Sequence, residues 1–290
     1  MNDVGIEYQT VLGCPPVEFV HLAADLGCRA ISMKASTGPY TPYNPYGYDD
    51  FSFLDDEGAR RQMAAALKDR DVSISLAEGF VVLPGRNLTD DLASLDVMRE
   101  LGATRANVVT LDADLARSFD QFAAFTEAAA ERGMQTTLEF AKSLALTDLD
   151  TAVAAVRHVG RDDFRLLIDT MHVVRSGSTA DDLAALDASM FGYVQLSDST
   201  LEQRNEAYRD DSSDRGVPGE GELPLVQMLV ALPEWLPVGV EAPMRSRAAQ
   251  GMSARECAEL AVEGARGVLA EVWAEREKLD SAGLPRRSTR

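Results

Sequence analysis

The feature that most constrains this chain is an alternation sustained along nearly its whole length. A short apolar run is followed by a segment with apolar residues at helical spacing, and then by another short run. Short apolar runs bounded by glycine and polar residues read as buried strands, and spacings of three and four as helices lying against them. The strand-like runs fall at residues 4–8, 29–33, 72–76, 106–111, 135–140, 164–169, 191–198 and 237–242. Helical segments at 16–26, 57–70, 88–101, 118–132, 149–159, 180–186, 223–232 and 254–278 follow them in turn. Eight strand–helix units in 290 residues point to one α/β domain, a closed (β/α)8 TIM barrel spanning 1–278, with a polar tail at 279–290. In such a barrel the site forms at the C-terminal ends of the strands.

Four of the runs carry a polar residue at or near that end. They are Glu139, Asp169, Gln195 and Glu241, each with an apolar neighbour that alternation sends to the opposite face. The run Phe164-Arg165-Leu166-Leu167-Ile168-Asp169 puts Leu167 and Asp169 on one face and Leu166 and Ile168 on the other. Three carboxylates and an amide converging on one place repel one another unless a cation lies among them. Oxygen ligands of this hardness suit one divalent cation, Mn2+ or Mg2+, better than zinc or copper.

The remaining features bound the function. Acidic residues outnumber basic ones by 47 to 28, a formal charge of −19, which opposes binding to a nucleic-acid backbone. No run approaches the length of a membrane span, and Cys14, Cys28 and Cys257 have no metal-type spacing, so a cytoplasmic enzyme is expected. Two connections are too long to be mere links. Residues 35–56 carry Tyr40, Tyr43, Tyr46, Tyr48, Phe51 and Phe53, and suit a lid or substrate wall, a surface excursion or a subunit contact in a homo-oligomer. Residues 199–222 include Asp214-Arg215-Gly216-Val217-Pro218-Gly219-Glu220-Gly221, from which Arg215 can reach back over the site. Lys142, just past Glu139, is a candidate for holding a substrate oxygen; Lys34 and Glu78, at strand ends, are candidates for lining the pocket. His21 and His158 read as packing or surface residues, and Cys14 as a small hydrophobe.

Leu138-Glu139-Phe140, Asp169-Thr170-Met171-His172, Gln195-Leu196-Ser197-Asp198, Arg215 with Pro218-Gly219-Glu220-Gly221, and Val240-Glu241 together resemble the xylose isomerase-like barrel superfamily, in its sugar isomerase/epimerase branch. The resemblance implies one divalent ion held at Glu139, Asp169, Gln195 and Glu241, with His172 and Arg215 holding substrate oxygens. The epimerases usually carry His where this chain has Gln195. Dehydratases of the superfamily that act on 3-dehydroshikimate are similar in using Gln there.

The chemistry expected is proton transfer. A cation that binds two adjacent oxygens of an α-hydroxy ketone acidifies the C–H between them and stabilises the enediolate. Glu139 and Glu241 are the expected proton carriers. Return of the proton gives isomerisation or epimerisation of a small polyhydroxy ketone; loss of a β-hydroxyl gives dehydration. In the dehydratase version the Gln195 amide needs an orienting neighbour, and Asp198 is the candidate nearest in sequence. An apurinic-site nuclease and a non-catalytic sugar-binding barrel are the rival readings from other classes.

Overall fold

A computed structural model of the chain describes residues 4–37 and 44–282. Eight parallel strands, each paired with the next and the last with the first, close into a barrel. They are β1 (Gly5–Ile6), β2 (Ala30–Lys34), β3 (Ser73–Val82), β4 (Arg105–Thr110), β5 (Gln135–Leu138), β6 (Phe164–Asp169), β7 (Phe191–Leu196) and β8 (Val238–Val240). The helices around them are α1 (Pro16–Asp25), α2 (Glu57–Arg70), α3 (Leu92–Glu100), α4 (Leu115–Glu131), α5 (Leu149–Val159), α6 (Thr170–Arg175), α7 (Ala180–Ala184), α8 (Tyr208–Ser212), α9 (Leu225–Ala231), α10 (Arg245–Ala249) and α11 (Ala254–Ser281). No helix among the described residues is long and apolar enough to cross a membrane.

Helix bounds follow local chemistry. α2 starts where Asp56 accepts a hydrogen bond from the Ala59 N–H, and α5 where Asp148 accepts from Thr151 at 2.9 Å. Gly160 closes α5 in the left-handed conformation. Two strands depart from expectation. β1 ends early because the chain turns at Glu7 into a 3-10 segment, Tyr8–Val11. β3 runs on to Val82 through a register shift between Ala77 and Phe80, a bulge that re-aims the side chains beside it.

The barrel has two apolar compartments. Between strands and helices lies the large core, where Leu166, Ile168, Phe164 and Phe122 are fully or almost fully buried. Each such side chain contributes roughly 1.5–3 kcal/mol by leaving water. Inside the barrel, Leu76, Leu167 and Tyr193 form a separate small layer. Asp169 and Gln195, two residues on from Leu167 and Tyr193, face the same interior one layer nearer the mouth. The Tyr193 hydroxyl donates to Glu7 Oε1 at 2.8 Å and lies 2.9 Å from Ser75 Oγ. Gly239 makes this possible, because a Cβ there would collide with the Glu7 carboxylate. Burial and the nearby Glu78 push the Glu7 carboxyl well above its usual range.

The described residues of the aromatic connection pack against the core. Phe53 is buried and Tyr46, Tyr48 and Phe51 lie against the core, with Phe51 edge-on to Tyr8 at 6.1 Å between ring centroids. Backbone bonds from Thr37 to Phe51 and from Phe53 to Ala35 fasten its two ends together. Tyr40, Tyr43 and positions 283–290 of the tail lie outside the described residues.

Candidate active site

A cavity of about 280 Å³ opens at the C-terminal ends of the strands. Glu139, His172, Arg215, Glu241, Lys34 and Glu78 are among the residues that line it. Asp169 and Gln195 lie buried, 1% and 0% exposed. Although Glu139 and Glu241 fall just beyond β5 and β8, their N–H groups still bond to Val108 O at 3.2 Å and Leu196 O at 2.9 Å. The ladder thus continues one residue further and keeps these side chains in register with the strand pattern.

Asp169 is the most heavily bonded of the four. Its Oδ1 accepts from the Met171 N–H at 2.9 Å, the His172 N–H at 3.1 Å and Ser197 Oγ at 3.0 Å, so it also caps α6. Its Oδ2 pairs with the Arg215 guanidinium. Arg215 also reaches Glu241 Oε1 at 3.0 Å and is itself almost wholly buried. Burial pushes Asp169 up, but Arg215 and His172 outweigh it and hold the carboxyl below its ordinary value. Burial pushes Glu241 up to about 8 against the pull of Arg215. Burial, reinforced by Glu241 and Asp169, raises Glu139 well above the carboxylate range. The His172 imidazole is depressed by burial to about 4 and is neutral at pH 7. Its Nδ1 lies 2.7 Å from the Tyr208 hydroxyl, and its Nε2 faces Glu139 Oε1 at 3.5 Å.

Glu139, Asp169 and His172 offer ligand atoms within 4.8 Å of one another, a group able to hold one metal ion. Two further observations fit a cation. Gln195 Oε1 is buried without a hydrogen-bond partner, and the carboxyl of Glu139 is crowded by others of like charge. Glu241 is tied to Arg215 instead and lies outside that three-residue group.

The structure corrects one expectation and extends others. Asp198 does not orient Gln195. It turns the other way and binds the backbone of the second long connection, accepting from Ser199 and Gly219 at 2.8 Å, Gly221 at 3.0 Å and Leu223 at 3.3 Å. A Cβ at Gly221 would strike that carboxylate, so glycine is required there. The amide of Gln195 instead donates from Nε2 to Glu78 Oε1 at 3.1 Å. Lys142 is exposed and is not among the residues lining the cavity, whereas its neighbours Ala141 and Ser143 are. Lys34 and Glu78 line it as expected, paired in register across β2 and β3.

Two contributors carry weaker signals. Asn107 on β4 donates to Glu139 Oε2 at 2.8 Å and accepts from Thr137 Oγ1 at 3.1 Å. The sequence reading passes it over, although a polar residue inside an apolar strand is the same signal that marks Gln195. Tyr208 has no such signal, because its place depends on how the connection folds back. His21 and His158 sit on the outer helices α1 and α5, and His158 pairs with Asp120 at 2.9 Å on the surface.

A family model described as xylose isomerase-like TIM barrel matches residues 20–259. No curated protein matches the chain. Among solved structures, the chain is similar to an IolI protein with a bound zinc atom, at 18% identity over 94% of this chain and 99% of that one, with a TM-score of 0.76. It is also similar to a D-psicose 3-epimerase solved with D-tagatose, from Clostridium cellulolyticum H10, at 14% identity over 94% and 99% of the two chains, with a TM-score of 0.69. A family 2 AP endonuclease from Brucella melitensis shares 18% identity over 87% and 96%, with a TM-score of 0.62.

Proposed function

The chain belongs to the xylose isomerase-like TIM-barrel family, and from that membership we propose that it is a divalent-metal-dependent isomerase or epimerase of a sugar-like polyhydroxy ketone. The observation that carries this reading is the pair Glu139 and Glu241, which line one cavity from strands three apart around the ring. The sugar epimerase among its structural neighbours supports it. The formal charge of −19 weighs against a phosphate-backbone substrate such as a nuclease requires.

Glu139, Asp169, Gln195 and Glu241 would hold the ion, and the oxygen-rich set suits manganese or magnesium. The chemistry supplied when it is bound is Lewis-acid polarisation of two adjacent substrate oxygens. The chain's own residues do the rest. Glu139 or Glu241 takes the proton from the carbon between those oxygens, and the other returns a proton to the opposite face or to the neighbouring carbon. Asn107 fixes the Glu139 carboxyl group, while Arg215 fixes Glu241 and offsets the charge of Asp169. His172 presents an uncharged ring to the substrate, steadied by Tyr208.

A second reading is favoured by one contact. The tie from Gln195 Nε2 to Glu78 is the kind of orienting bond that the 3-dehydroshikimate dehydratase version calls for. There the proton is taken in the same way, but a β-hydroxyl leaves as water.

Incubating the metal-loaded protein with candidate ketoses and with 3-dehydroshikimate in deuterated water separates the two. Deuterium at an α-carbon without loss of water supports the isomerase or epimerase. A new aromatic catechol absorbance from 3-dehydroshikimate supports the dehydratase. Neither signal with any ketose or with 3-dehydroshikimate would count against both.

A further inference from the structure

Gln195, like Asn107, has two chemically opposite ends, here an acceptor Oε1 and a donor Nε2, that a half-turn of the amide exchanges, but unlike Asn107 it has a hydrogen-bond partner at one end alone. One end is fixed. Nε2 donates to Glu78 Oε1 at 3.1 Å, and when ionised that carboxylate has only acceptor capacity to offer an amide. The other end is then Oε1, fully buried and without a hydrogen-bond partner among the described residues. A buried acceptor left bare costs about 1–3 kcal/mol, so it marks a place for a cation or a bound water. Glu78 stands two residues on from Leu76, which faces the barrel interior, so alternation along β3 turns its side chain into the cavity, where it meets Gln195 from a strand on the far side of the barrel.

We infer that Glu78 is a positioning residue that locks the Gln195 amide with its oxygen toward the carboxylate cluster, making a side chain of ambiguous polarity into a one-way oxygen ligand. This rests on the metal-centred reading above. With His in place of Gln195, no amide exchange would exist to be prevented. In this chain an acidic residue opposite position 195 is what makes glutamine serviceable as a ligand. Reversed, the amide would point a positive NH2 group at the ion.

The test is a double-mutant cycle read by calorimetric titration of the metal-free protein with Mn2+, which does not depend on any substrate. Glu78→Leu, which fills similar space but offers no acceptor, is expected to weaken Mn2+ binding about 10–100-fold, the usual range when a ligand's orienting partner is lost. In a Gln195→Ala background the same substitution is expected to change affinity by no more than about threefold, because the group through which Glu78 acts is gone. An equal loss in both backgrounds would overturn the inference, since Glu78 would then act by its charge alone. An unchanged affinity for Glu78→Leu would overturn it as well. Should Glu78→Leu fail to give a folded barrel by circular dichroism, Glu78→Asp takes its place: a carboxylate drawn back by one methylene is expected to weaken binding, and native affinity would overturn the inference. A wild-type protein that binds no divalent ion would sink the metal-centred reading itself, and this inference with it.

Discussion

Residues 35–56 and 199–222 are the two long connections of the barrel, and their compositions are nearly inverse. The first holds six aromatic side chains; the second holds one, Tyr208, with three arginines and seven acidic residues. Among the described residues of the first, none lines the cavity, and Phe51 and Phe53 are spent on the core. The second supplies Arg215, Ser212 and Ser213 to the cavity wall and Tyr208 to His172. It is held down by charges: Asp198 gathers four N–H groups, and Arg175 on α6 meets Asp211 at 3.2 Å with both side chains buried. Aromatic residues near a barrel mouth invite a substrate role, yet apolar rings are better satisfied against the core. Charged groups have no such retreat and remain where their partners are.

That contrast can be broken at several points. The largest effect is expected in the site that the second connection completes. Glu139→Gln and Glu241→Gln should each slow exchange of the substrate α-proton by about 10²–10⁴-fold, the usual contribution of a general base or acid. Deuterium incorporation measured by NMR checks this, and near-normal exchange in either variant would reduce that residue to a ligand.

Next comes Arg215→Met. It leaves Asp169 and Glu241 buried without their counter-ion, and breaking such a pair costs about 3–5 kcal/mol. Urea unfolding of the metal-free protein reads the loss. Saturating Mn2+ should recover part of it, because a bound cation replaces the missing charge.

Asp198→Asn is expected to cost about 2 kcal/mol, within the range for hydrogen bonds to a charged group. The amide NH2 cannot accept from the backbone donors that the carboxylate now gathers. The loss should appear as faster hydrogen exchange over 199–222 with 35–56 unchanged. Equal changes in both connections would show that they are not independent.

The smallest effect belongs to the aromatic connection. Phe53→Leu should lower stability by no more than about 1.5 kcal/mol, as hydrophobic swaps of similar volume do, and leave Mn2+ affinity unaltered. A shift in affinity would return 35–56 to the site.

The alternation of the sequence was enough to read the barrel, because buried strands and amphipathic helices impose their periods on the residues themselves. α2 and α5 have the bounds their spacing predicts. β1 and β3 do not, since a turn at Glu7 and a bulge near Gly79 answer to neighbours distant in sequence. The four polar strand ends were legible as a set. What they bond to was not, for Glu78 and Gln195 are 117 residues apart and meet only when the ring closes. Asp198 misled for the same reason. Nearness along the chain suggested Gln195, but the turn after β7 sends its carboxylate to a loop more than twenty residues onward.

The layer of Leu76, Leu167 and Tyr193 beneath Asp169 and Gln195 has a consequence for traffic. It stops the barrel bore below the site, so the cavity is a cul-de-sac rather than a tunnel. Reactant, product and solvent must therefore share one doorway and pass in sequence. Whatever enters past the lining residues, Ser212 and Ser213 among them, leaves past them too.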